Sequence, residues 1–163
     1  MVFNRSVVVN SIVVTSSVSN KGLLYSEDYG KTWNQSNINE GYFRHLITIN
    51  NVVITNSSYR KGLLYSEDNG KTWKESNINF DNFYCLTVIG NTVIAGGDYD
   101  NGLLYSEDNG KTWKQSNITC DFFSCLITIG STVIAGSDFN KGLLYSEDNG
   151  KTWKESDIII NNN

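Results

Sequence analysis

Proline is absent from this chain of 163 residues. The accompanying bias to Asn, Ile and Lys fits an AT-rich genome and points to no activity. Histidine occurs once, at His45, with no surrounding sequence that marks a nucleophile. That argues against a Ser–His or Cys–His triad, and no glycine-rich phosphate loop is present either. Cys85, Cys120 and Cys125 form an odd set, which excludes a closed disulfide framework. They read as free thiols in a reducing compartment. Basic residues number 13 against 17 acidic ones, for a net charge of −4. The lysines recur along the chain instead of forming a patch, which argues against nucleic acid as a partner. No run approaches the roughly 20 apolar residues of a membrane helix. The N-terminal SVVVNSIVV is interrupted by Asn10 and Ser11 and aligns with later positions, so it reads as structure and not as a signal peptide. A cytoplasmic protein without metal or cofactor is the expectation.

What is abundant is repetition. GLLYSEDNGKTW begins at Gly62, Gly102 and Gly142, and at Gly22 with Tyr29 in place of Asn. The period is 40 residues with no insertion or deletion, and such a period is the signature of stacked supersecondary units. Each unit contains four short β-favouring runs, as in FSCLITI, TVIAG, GLLYSE and KTWKESDI. Turn signals separate them: Gly130-Ser131, the Ser137–Lys141 loop and Asn149-Gly150. The unit is therefore a four-stranded antiparallel meander, with strands called A to D. Strands A and B are apolar on both faces, so each unit needs a layer on either side. The fold class expected is all-β: a β-propeller of four blades, about 1–40, 41–80, 81–120 and 121–160, making one domain over 1–163. A β-sandwich gives no reason for a strict period.

The motif Ser-x-Asp-x-Gly-x-Thr-Trp resembles the Asp-box, or BNR repeat, of sialidases, sortilin-type receptors, xyloglucan-degrading glycosidases and photosystem assembly factors. Its residues here are Ser26, Asp28, Gly30, Thr32 and Trp33; Ser66, Asp68, Gly70, Thr72 and Trp73; Ser106, Asp108, Gly110, Thr112 and Trp113; and Ser146, Asp148, Gly150, Thr152 and Trp153. The box has a structural logic of its own. The Asp accepts backbone N–H groups in the C–D turn, Gly takes a positive φ, Ser and Thr satisfy groups nearby, and Trp covers the turn. All four tryptophans of the chain sit in these boxes.

In a meander the A–B and C–D turns share one face, and the B–C loops and D-to-A crossings share the other. The boxes therefore lie opposite the loops that differ between repeats. The resemblance implies the same, since the active site of sialidase-like proteins lies opposite the boxes. Aromatic and acidic residues gather on the variable face. Tyr59, Tyr99, Phe139, Asp98, Asp138, Asp81 and Asp121 are the candidate ligand-binding residues, suited to a glycan or a protein segment. The competing reading is that the rings wedge between blades and the carboxylates cap turns. Phe3, Phe43, Phe83 and Phe123 form one column that reads as packing. Arg5, His45, Cys85 and Cys125 form another, near the propeller axis, where they could ring a channel.

No catalytic residue is assigned. The resemblance implies a Tyr nucleophile and an arginine triad for a sialidase, but Arg5, Arg44 and Arg60 are the only arginines and none falls in a matching motif. Asp98 and Asp138 occupy equivalent positions, which leaves a glycosidase carboxylate pair as the alternative. A third reading is a repeat protein whose one property is assembly. Two closures compete: four blades closing alone, or a homodimer completing an eight-bladed ring, which the sequence reading favours.

Overall fold

The computed structural model describes residues 5–17, 20–57, 62–78, 82–139 and 141–157. They form four four-stranded antiparallel sheets, each a meander in chain order. The first blade holds β1 (Ser6–Val9), β2 (Ile12–Ser16), β3 (Leu23–Ser26) and β4 (Asn34–Gln35). The second holds β5 (Phe43–Ile49), β6 (Val52–Ser57), β7 (Leu63–Ser66) and β8 (Lys74–Glu75). The third holds β9 (Phe83–Ile89), β10 (Thr92–Gly97), β11 (Leu103–Ser106) and β12 (Lys114–Gln115). The fourth holds β13 (Phe123–Ile129), β14 (Thr132–Ser137), β15 (Leu143–Ser146) and β16 (Lys154–Glu155). This is the expected all-β four-bladed propeller architecture. No helix in the described residues is long and apolar enough to cross a membrane.

The A–B hairpins follow from their two-residue turns. Asn50 and Asn51 sit at φ 47° and 64°, which suits a turn whose twist matches the flanking strands. Ile49 consequently pairs with Val52 and Ile47 with Ile54. In the third and fourth blades the strand A pairing slips by one residue near its start, at Phe83 and at Phe123.

Blades hold one another through apolar faces. Ile49, Ile54 and Leu63 of the second blade pack with Phe83, Leu86, Val93 and Trp113 of the third. The equivalent columns join the first blade to the second and the third to the fourth. Phe43, Phe83 and Phe123 are buried in these seams, as the packing reading requires; Phe3 lies outside the described residues. None of the three clusters joins the fourth blade to the first.

The seams also carry a polar clamp that the sequence reading did not single out. The Asn77 amide donates to the Trp113 carbonyl at 3.1 Å, and the Trp113 N–H donates back to Asn77 Oδ1 at 2.8 Å. Asn37 clamps Trp73 and Asn117 clamps Trp153 in the same way. At the rim, Glu67 accepts from Lys111 of the next blade at 2.6 Å and from Lys74 of its own at 2.9 Å. Glu107 is placed likewise between Lys151 and Lys114. These pairs are exposed and worth little each; those of Lys111 and Lys151 cross the seam, and those of Lys74 and Lys114 stay within a blade. The strand D lysines Lys74, Lys114 and Lys154 also lie 5.7–5.9 Å from the ring centroids of Tyr65, Tyr105 and Tyr145.

Candidate functional site

The boxes are hydrogen-bonded turns. Ser66 Oγ donates to Asp68 Oδ1 at 2.8 Å and accepts the Gly70 N–H at 2.8 Å. Asp68 takes the Thr72 N–H on Oδ1 at 2.8 Å and the Thr72 hydroxyl on Oδ2 at 2.6 Å. Thr72 thus serves the carboxylate and not a backbone group. Trp73 caps the turn by donating its indole N–H to the Gly70 carbonyl at 3.0 Å. The boxes at Ser106 and Ser146 repeat these bonds. The box at Ser26 repeats the Ser, Asp and Thr bonds.

This bonding sets how the carboxylates titrate. The Thr32 hydroxyl, the Thr32 N–H and the Ser26 hydroxyl hold Asp28 down at about 2. For Asp68, Asp108 and Asp148 burial pushes upward, but the Thr and Ser donors outweigh it and the net shift is downward. A carboxylate depressed in the folded state adds stability that is complete above its unfolded value near 3.9 and is lost as pH falls through the folded value. The thermal midpoint is therefore expected to be steady above about pH 5 and to fall between about pH 4 and pH 2. Thermal melts over that range check it. A flat profile would mean that the boxes are as well bonded in the unfolded chain.

The two faces separate as the meander requires. On the box face, the Asn10 amide of one A–B turn donates to Asn69 of the next blade's C–D turn at 2.9 Å, and Asn50 does the same to Asn109 at 3.0 Å. On the opposite face, Asp98 N–H donates to the Asn82 carbonyl at 3.2 Å and Asp138 N–H to the Phe122 carbonyl at 3.0 Å. Each B–C loop is thereby tied to its D-to-A crossing.

The variable face carries a cross-blade aromatic array. The Arg44 guanidinium of the second blade lies 4.9 Å from the Tyr84 ring centroid of the third. Tyr84 meets Phe122 at 4.5 Å between centroids, and Phe122 meets Phe139 edge-on at 6.0 Å. Phe139 ends the array 71% exposed. Tyr99, at the equivalent position of the third blade, is also exposed. The sequence placed Tyr99 and Phe139 on one face. The role of Arg44 was not legible, because its contact joins two blades.

The candidate carboxylates divide. Asp121 is 1% exposed and caps its loop. Its Oδ1 accepts the Phe122 N–H at 2.8 Å, and its Oδ2 accepts the Ser137 hydroxyl at 2.7 Å and the Lys141 N–H at 3.1 Å. As a ligand-binding candidate it is corrected to a buried turn cap. Asp98 accepts from the Asn101 amide at 2.6 Å and more distantly from Asn82 at 3.5 Å. Asp138 is exposed and accepts from the Ser124 hydroxyl at 2.9 Å. Tyr59 and Asp81 lie outside the described residues.

The Arg5 to Cys125 column does not line a channel at Cys85. Its thiol is buried in the seam, 3.3 Å from the Phe123 carbonyl of the next blade, and burial pushes it up to about 12. His45 is held down at about 4 by burial and by Arg5 and Arg44, and its Nδ1 is buried without a hydrogen-bond partner. Among the described residues no group of three His, Cys, Asp or Glu side chains is placed to hold a metal ion.

The family model of the BNR/Asp-box repeat matches residues 64–75, 104–115 and 144–155. No curated protein matches the chain by sequence. Solved structures match it by fold. An ancestral GH74 enzyme superimposes with a TM-score of 0.69 at 17% identity, over 90% of this chain and 22% of that one. YCF48 bound to D1 peptide gives 0.62 at 18% identity, over 91% of this chain and 50% of that one. The computationally designed Ika4 protein gives 0.66 at 11% identity, over 86% of this chain and 88% of that one. The chain thus spans about a fifth of the GH74 enzyme and half of YCF48. Three of its repeats match the BNR/Asp-box model, a fourth at Ser26 makes the same turn bonds, and the four sheets have the β-propeller fold of these structures.

Proposed function

We propose that the protein is a non-catalytic binding module whose variable-loop face takes an extended protein segment. The observation that carries this reading is the cross-blade array from Arg44 through Tyr84 and Phe122 to the exposed ring of Phe139. Rigid aromatic faces offer large contact area at little entropic cost, and a guanidinium at one end adds orientation. The array is shared between blades, so only the assembled propeller presents it. A solved neighbour of this fold, YCF48, is bound to a D1 peptide, which supports a protein segment as ligand on such a scaffold.

A carbohydrate is the second reading, favoured by exposed Tyr99 and Phe139 beside Asp138. Hydrolysis would require two available carboxylates across a sugar. Asp98 already accepts from Asn101 and Asp138 from Ser124, which supports binding over turnover.

A peptide array and a glycan array, with a parallel hydrolysis assay, test the proposal. The expected result is capture of peptides and no turnover. Phe139→Ala and Tyr84→Ala should each weaken capture at least about tenfold, in the range of aromatic hot spots. Glycan capture alone would replace the ligand class. Turnover lost on Asp98→Asn or Asp138→Asn would replace the function.

A further inference from the structure

The two terminal blades expose complementary halves of the seam that holds the interior blades together. On the fourth blade the free face shows Ile127, Ile129 and Leu143, with Ile129 67% and Leu143 47% exposed. Their column-mates Ile89 and Leu103 are buried against the next blade. On the first blade the free face shows Trp33, 42% exposed, where Trp73, Trp113 and Trp153 are each 4% exposed. Each face is what the other covers elsewhere in the chain.

We infer that a second copy of this chain covers both faces head to tail, closing a two-chain ring of eight blades. The faces differ from one another, so the contact is heterologous, and it closes only if the turn per blade fits a whole number of chains. A ring built only from copies of these four blades holds a multiple of four. Four blades in one chain leave both faces open, as seen here. Eight is the next multiple and lies at the upper end of the usual range of four to eight; twelve lies outside it.

The polar groups of the seam continue across this junction. Lys71, Lys111 and Lys151 reach back to Glu27, Glu67 and Glu107 of the preceding blade. The unmatched members of those columns are Lys31 on the first blade and Glu147 on the fourth, which have opposite charge. The clamp has one defect. Where Asn37, Asn77 and Asn117 both accept from and donate to the next Trp, the fourth position is Asp157. A carboxylate accepts from the Trp33 N–H of the second copy but cannot donate to its carbonyl. The junction between chains is therefore weaker than the seams within a chain.

Light scattering and sedimentation velocity of the full chain, over a dilution series, test the inference. The expected mass is that of two chains. Leu143→Asp should give the one-chain mass with the far-ultraviolet β signal retained, since this side chain is already exposed in the single chain. Asp157→Asn should lower the dissociation constant by about ten- to thirty-fold, one hydrogen bond regained at each of two junctions. A one-chain mass at all concentrations overturns the inference. So does a series of species growing with concentration, which would mean that the contact does not close, and so does a two-chain mass for Leu143→Asp. Capture of peptides by Leu143→Asp is independent of these outcomes, so the ring and the binding reading fail separately.

Discussion

Trp113→Ala is expected to destabilise the chain by about 3–5 kcal/mol, the range for truncating a buried aromatic. Trp113 sits in the seam between the second and third blades with Ile54, Leu63 and Leu104. Its ring is almost fully removed from water, and its indole N–H satisfies the Gly110 carbonyl at 3.0 Å. Alanine leaves a cavity in the middle of the array and orphans that carbonyl. In a repeat protein each junction contributes separately to stability, so the loss divides the chain into two pairs of blades. Urea unfolding with fluorescence and circular dichroism measures it, and the thermal midpoint should fall by roughly 10 °C. A loss under about 1 kcal/mol would mean that the box tryptophans cover their own turns without holding the neighbouring blade.

Gly102→Ala is expected to cost about 3–5 kcal/mol, against about 1 kcal/mol for Gly90→Ala. Both glycines have positive φ, 58° and 55°, so alanine meets the same left-handed strain at each. The surroundings differ. A Cβ on Gly90 would meet nothing within 4 Å, whereas one on Gly102 would stand 2.2 Å from the Ile118 carbonyl oxygen. That oxygen belongs to backbone and accepts the Leu103 N–H at 3.0 Å. It cannot rotate away as a side chain can, so strand C must part from the chain leaving strand D. Matched unfolding curves for the two variants check this. Equal losses would show that φ alone, and not the close approach, accounts for the glycine.

The box was legible because its chemistry is local. Ser66, Asp68, Gly70 and Thr72 bond to one another across two to four residues, so the motif and its turn are the same statement. The Asn clamp was missed although it recurs in every repeat as Ser-Asn-Ile or, last, Ser-Asp-Ile. Its partner is a Trp 36 residues further on, and no local pattern announces such a bond. On the variable face the aromatics were visible in the sequence. The burial of Asp121 was not, because it depends on Ser137 and Lys141 folding back over it.

The sequence by itself determined the meander, its period, the box turns and the division into two faces. Each of these rests on alternation, turn chemistry or bonds spanning a few residues, and four near-identical repeats state them four times. Burial was decided only by the tertiary structure. Trp33 and Trp113 occupy the same position in nearly the same twelve residues, yet one is exposed and the other enclosed. Cys85 and Cys125 share a column, yet one is buried in a seam and the other is on an open face. A residue's neighbours within its own strand are repeated with the sequence. Its neighbours across a seam belong to the next blade, and the first and last blades each lack one.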